Sequence, residues 1–464
     1  MIKKSWILAI VMSLTFSSCD AQSNRRNSHR TEDKSRIEQI KQEKTDVIAE
    51  APSIKPKVNV YIENSGSMDG YVKGINEFKD AIGKLLVQLK YHYDEENVQV
   101  FFICNNKSDS NIQVTQTAIG MDLANFASEI DVKWRDESKK RGHNTNLNNV
   151  FKEVLSRTND SCISILISDC IYSIGDGSTV NLLNHEKNTT YDAFLTKSKN
   201  NPSDLATTIV KMKSKFDGKY YPYTGDKNAF PFKGELPYYI CVIANQNVLD
   251  DFNNNIKLDS GAIDGYDNKY IITRGVNTDI YYTVLMATGN KGRFKSQRNI
   301  SSQSFVHGIK DIDLKPNKRD GAPFTFAVAI DMKNLDVEED YILDTNNYLL
   351  SEDNFEITDI KKVVKNEINP NDWQRIKDAN PTHIVMIQAR DMQWTNVELG
   401  ISLKKQVPQW IEDSSILDDT KPDNLKGGKS FGLKYWIEGI SEAYEKLYPN
   451  DKNYFEVIIN ISKK

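Results

Sequence analysis

Histidine and cysteine are scarce in this 464-residue chain, at six and five. The histidines stand at 29, 92, 143, 185, 307 and 383, too scattered for any zinc spacing. Four cysteines, Cys104, Cys162, Cys170 and Cys241, fall in or beside strand-like apolar runs, where a free thiol behaves as a small hydrophobe. Cys162 and Cys170 flank one strand and would lie about 26 Å apart in an extended chain, so they cannot pair with each other. Disulfides are open to an extracytoplasmic protein, but buried thiols fit this placement better. A basic excess is also missing. Sixty Lys and Arg face 64 Asp and Glu, for a net charge of −4, which offers nucleic acid no basic face. Long apolar runs are absent, with one exception.

That exception is N-terminal. Lys3 and Lys4 precede Trp6–Phe16, and Ser17-Ser18-Cys19 follows. A charged start, a short apolar core and small residues make a secretory signal, too short for a spanning helix. With Cys19 directly after the small residues, the segment resembles a bacterial lipoprotein signal, although Phe16 stands where that family usually has Leu. The resemblance implies removal of residues 1–18, lipid on Cys19, and a membrane-anchored protein of the cell envelope on its periplasmic or surface face. Cleavage removes two lysines and no acids, which moves the net charge from −4 to −6. Residues 19–56 are polar and mixed in charge, with almost nothing apolar before Val47, and read as a disordered tether.

After the tether the periods alternate. Strand-like runs at 58–63, 98–104, 163–169 and 238–245 are separated by helical spacings. Ile75, Phe78, Ile82, Leu85 and Leu89 share one helical face; Leu123, Phe126 and Ile130 suggest a short helix, and Leu147, Val150 and Val154 another. Residues 201–216 place Leu205, Ile209, Met212 and Phe216 on one stripe, which predicts a helix, whereas 170–200 is a long polar stretch and reads as a loop. The irregular stretch 218–237 carries aromatics that suit a protein contact or internal packing equally. The pattern predicts an α/β fold: a doubly wound, mainly parallel sheet over 57–260. From 261 to 464 strand-like runs dominate, at 269–276, 279–287, 324–332, 382–390, 396–405 and 454–461, with one late helix from Phe431 to Leu447. That half predicts a β-rich, sandwich-like domain with the helix packed on it.

Ligands of open α/β sheets bind at the carboxyl ends of the strands, and there the chain reads "YIENSGSMDGYV", residues 61–72. Glu63, Ser65 and Ser67 alternate out of the first strand. Thr145 precedes a helix in "GHNTNLNNVF", and Asp169 ends "ILISD". Hydroxyls with one or two acids make the kind of hard-oxygen cage that magnesium takes. Alone, the stretch also reads as a strand-to-helix turn capped by Ser67. Asp69 fits ordinary dipole capping, and His143 a solvated loop.

Together, "VYIENSGSM", "TNLNNVF" and "ILISD" resemble the three metal-site segments of the von Willebrand factor A family, over roughly residues 57–260. That family uses Asp-x-Ser-x-Ser, a distant Thr and a later Asp to hold a divalent ion. The resemblance implies Glu63, Ser65, Ser67, Thr145 and Asp169 as metal ligands, Mg²⁺ first, with Ca²⁺ or Mn²⁺ as alternatives. Glu63 departs from the family's Asp by one methylene, about 1.5 Å of reach, which bears on which ion fits. The function implied is a membrane-tethered binding protein whose domain engages a protein partner, one that can supply a carboxylate to the metal. The alternative is a metal-independent structural subunit of an envelope complex. An enzyme is not expected: Ser65 or Ser67 as nucleophile would need a base, no G-x-S-x-G elbow is read in the chain, His143 is the one nearby candidate base, and no spacing singles out a carboxylate pair.

Overall fold

The computed structural model describes residues 55–463 except 106–110, 118–121, 124–125, 127–128, 132–133, 135–144, 176, 201–203, 260, 275–279 and 314–322. The signal segment with Cys19, the tether up to residue 54, and His143 therefore lie outside the described residues.

Seven strands form the first sheet: β1 (Lys57–Glu63), β2 (Val98–Asn105), β3 (Ile112–Gln116), β4 (Cys162–Ser168), β5 (Leu205–Tyr220), β6 (Phe230–Asn245) and β7 (Tyr266–Ile272). Their order is β3-β2-β1-β4-β6-β5-β7. Only β2, β1 and β4 run parallel; β3, β6, β5 and β7 add antiparallel pairs on the flanks. The expected mainly parallel sheet is thus a parallel centre inside a mixed one. Both faces of that centre are covered, which explains its continuous apolar strands. Helix α1 (Glu77–Tyr93) and helix α4 (Gln246–Asn255) pack on Val58, Val60, Ile62 and Ile165. Helix α2 (Leu147–Arg157) and helix α3 (Thr179–Asn200) pack on Tyr61, Ile103 and Leu166.

Local chemistry accounts for the departures from the sequence reading. Asn76 caps α1 by accepting from the Lys79 backbone N–H, so Ile75 falls outside the helix and is fully exposed. Residues 205–220 form a strand, not a helix. Thr207-Thr208-Ile209-Val210 is a β-branched run that loses rotamer freedom in a helix, and its stripe fits a strand buried on both faces from Leu205 to Met212. Residues 179–200, expected as loop, form α3. Of its apolar residues only Leu183 and Phe194 are fully buried, and they lie against a second helix.

That second helix is α5 (Leu433–Leu447). It was expected on the sandwich, yet Trp436, Ile437 and Ile440 join the core on the α2–α3 side of the first sheet, with Trp436 edge-on to Phe151 at 5.7 Å. Gly439 allows the approach: a Cβ there would meet the Lys187 carbonyl at 2.7 Å. Strand β7, expected beyond the boundary at 260, is likewise an edge of the first sheet.

The remaining strands are β8 (Tyr282–Leu285), β9 (Arg293–Ser296), β10 (Gly308–Asp313), β11 (Thr325–Ile330), β12 (Tyr348–Leu350), β13 (Phe355–Lys362), β14 (His383–Ala389), β15 (Asn396–Lys404), β16 (Ser415–Ile416), β17 (Ser430–Phe431) and β18 (Asn453–Ser462). Sheets β12-β15-β18-β10-β9 and β13-β14-β11-β8 share one apolar core built from Phe326, Val328, Val385, Leu399, Ile401 and Ile459, a largely antiparallel β-sandwich.

Candidate functional site

The chain leaves β1 for β2 on one side and later returns to β4 on the other. The carboxyl ends of β1 and β4 therefore flank the point where strand order reverses. Ile62 lies across from Ile167, and Glu63 from Ile103. Side chains alternate along a strand. Val60 and Ile62 face α1, so Glu63 shares the α2 side with Tyr61, as Ser168 does with Leu166. Thr145, just before the Asn146 cap of α2, belongs to the same side.

These placements bring the five expected residues together. The Ser65 and Ser67 hydroxyls are 2.8 Å apart across a one-turn 3₁₀ helix, Gly66–Gly70. Ser65 also hydrogen-bonds Glu63, and the Ser67 hydroxyl lies near enough to Asp169 to favour its charged form. Asp169 Oδ1 accepts from the Ile171 N–H at 3.2 Å. Glu63, Ser65, Thr145 and Asp169 are buried, and Ser67 is the partly exposed member. The Thr145 hydroxyl lies near enough to Glu63 to favour its charged form, yet Oγ1 is buried without completing a hydrogen bond.

Electrostatically the cluster is strained. Burial first, then the Asp169 charge, pushes the Glu63 carboxyl well above its usual range, against the hydrogen bonds from Ser168 and Ser65 and the nearby Thr145 hydroxyl. Burial also raises Asp169, against its bonds to Ser67 and the Ile171 N–H. Two buried acids side by side resist losing both protons unless a positive charge joins them. A divalent ion fits that requirement: two carboxylates and three hydroxyls, one of them the orphaned Thr145 Oγ1, are hard-oxygen donors. Among the described residues, no group of three or more His, Cys, Asp and Glu side chains is placed to hold a metal. The donors here are mostly hydroxyls.

Asp69 is directed elsewhere, accepting from Trp134 Nε1 at 2.8 Å. Ser168 is the member that sequence reasoning passed over. Its hydroxyl donates to Glu63 Oε2 and accepts from the Cys170 N–H at 2.9 Å. Its parity on β4 puts it on the side of Leu166, but only the β1–β4 register sets it beside Glu63.

Among the described residues the outer half of the β5–β6 hairpin has no further strand partner, and it reaches over the 3₁₀ turn. Phe216 lies on Gly70 and meets Tyr71 edge-on at 5.0 Å, while the Tyr71 hydroxyl donates to the Pro237 carbonyl at 2.6 Å. Asp419 accepts from the Tyr220 hydroxyl at 2.8 Å and the Tyr223 N–H at 3.1 Å, and Tyr223 stacks on Phe431 at 4.5 Å. The aromatics of 218–237 thus pack within the chain. All four described cysteines are buried free thiols.

Other chemistry is less developed. Contrary to the sequence reading, one G-x-S-x-G run does occur, Gly428–Gly432, ahead of α5. Its Ser430 is buried and its hydroxyl meets the Tyr239 hydroxyl at 3.1 Å, not a histidine. A cleft of about 520 Å³ at one end of the sandwich is lined by Trp373, Lys362, Glu339 and His383, away from the Glu63 cluster. Its His383 and Glu339 already bond each other at 3.0 Å. Compared with known proteins, the chain matches no family model, no curated protein and no solved structure.

Proposed function

We propose that this protein is a membrane-tethered binding module of the cell envelope, whose first sheet holds a divalent cation at Glu63, Ser65, Ser67, Thr145 and Asp169 and engages a protein partner there. The reading combines the resemblance to the von Willebrand factor A family with one observation: five oxygen-bearing side chains from three separate segments meet at the switch point, two of them buried acids beside an orphaned hydroxyl. When bound, the ion supplies positive charge to both acids and an open position for a partner's carboxylate. The chain's own part is to hold the oxygens: the 3₁₀ turn fixes Ser65 and Ser67, the start of α2 presents Thr145, and the Asp169 turn is closed by the Ile171 N–H. Anchoring follows from Cys19 after Ser17-Ser18. The function is binding, not catalysis.

A second reading, a metal-independent structural subunit, is favoured by one feature: both acids already accept hydrogen bonds, Glu63 from Ser168 and Ser65 and Asp169 from the Ile171 N–H. One experiment separates the two. Full-length protein extracted from its own membranes is titrated with Mg²⁺, Mn²⁺ or Ca²⁺ while its melting is followed, and its intact mass is measured. An ion at 100 times its Kd should add about 2.7 kcal/mol of stability, and the mass should carry a lipid on Cys19. No melting shift at millimolar ion sinks the metal site and leaves the structural-subunit reading. An unlipidated Cys19 sinks the anchor.

A further inference from the structure

We propose that Ser168 sets the ion preference of the cluster, towards small octahedral cations such as Mg²⁺ and away from Ca²⁺, by holding one oxygen of Glu63. This rests on the cluster holding a divalent ion.

The proposal starts from hydrogen-bond direction. A serine hydroxyl has one proton and two lone pairs. At Ser168 a lone pair is taken by the Cys170 N–H, so the proton is left to point at Glu63 Oε2. The backbone imposes this arrangement. Cys170 adopts φ 53, a left-handed conformation that is uncommon for a residue with a Cβ, and its N–H is turned back onto Ser168. Ser168 is fully buried and paired in the sheet opposite Tyr239, so its side chain has little freedom to release the carboxylate.

The consequence falls on the longer acid. Glu63 reaches one methylene farther than an aspartate would, and the Ser168 bond takes up that reach by drawing Oε2 toward β4. Glu63 then offers an ion one oxygen instead of a bidentate pair. Magnesium accepts single oxygens in near-ideal octahedral geometry, whereas calcium takes more oxygens and commonly a bidentate carboxylate. A tethered, one-oxygen Glu63 therefore favours the smaller ion. Ser168 is a positioning residue that acts through Glu63. Partners of this kind typically change metal affinity by about 10–100-fold.

The test compares the wild-type chain with Ser168→Ala and with Ser168→Cys, which keeps a similar shape but donates weakly. Mg²⁺ and Ca²⁺ affinities are measured by calorimetry, and each variant's melting without ion reports that it is folded. The Ca²⁺-to-Mg²⁺ affinity ratio should rise by about 10-fold or more in either variant, and Ser168→Thr, which keeps the hydroxyl, should restore the wild-type ratio. Wild-type binding with an unchanged ratio in a folded variant overturns the role of Ser168 and leaves the cation site standing. A wild-type chain that binds neither ion overturns both.

Discussion

Glu63 and Asp169 are the residues on which the cluster's pH behaviour turns. Their folded values are both raised, chiefly by burial, so between the ordinary carboxylate range near pH 4 and the raised values the folded chain holds protons that the unfolded chain has lost. Stability from these two groups is therefore full below about pH 4 and is lost as pH climbs through their folded values. Ion-free protein should melt progressively lower from about pH 5 to pH 8 in a thermal scan, and Glu63→Gln should flatten that slope. A variant as steep as the wild type would place the titration elsewhere. The site residues were legible in the sequence because each sits at a strand or helix end, where position follows from local pattern. Ser168 was not, because its role depends on the register between β1 and β4, and register belongs to the pairing of two strands that lie about a hundred residues apart.

At the scale of elements, the hairpin over the 3₁₀ turn depends on two glycines. A Cβ on Gly218 would come within 2.8 Å of Gly70 Cα, backbone against backbone, with no flexible side chain to yield. Gly218→Ala should cost about 1–3 kcal/mol, the usual range for overpacking, and should lift the arm from the turn that carries Ser65 and Ser67. Chemical denaturation measures the first effect; weakened cation binding in the still-folded variant measures the second. An Ala variant with native stability and native binding would show that the arm only rests there. The parallel centre β1-β2-β4 and helices α1 and α2 could be read from period alone. Strand β5 could not, since Leu205, Ile209, Met212 and Phe216 satisfy a helical stripe and a doubly buried strand alike, and only the antiparallel partner β6 decides between them. Helix α3 was hidden for the opposite reason: its apolar residues make no clean stripe, because a helix sandwiched between α2 and α5 needs only Leu183 and Phe194 fully buried.

Across the whole molecule, the two halves are interleaved, and residues 56–464 form one compact unit by their internal contacts. The chain builds the first sheet, passes into the sandwich, and comes back through β16, β17 and α5 before its last strand, β18, closes the sandwich. No period in the sequence could announce that return, because an amphipathic helix does not state which surface it covers. A fragment ending at residue 274 should consequently fail as an independent domain, exposing the face that Trp436, Ile437 and Ile440 cover. It should bind hydrophobic dye and melt without a cooperative transition, whereas residues 56–464 should melt in one. Cooperative melting of the short fragment would refute the dependence.

The position of α5 also orders events in time. A ribosome releases the segment carrying Glu63 long before it releases Trp436, so the sheet beneath the cluster stays half-dressed until the segment carrying α5 has been made. Whatever the rim grips, it becomes competent late, and a chain truncated shortly before residue 433 would carry every one of the five oxygen donors on a scaffold that lacks its closing helix.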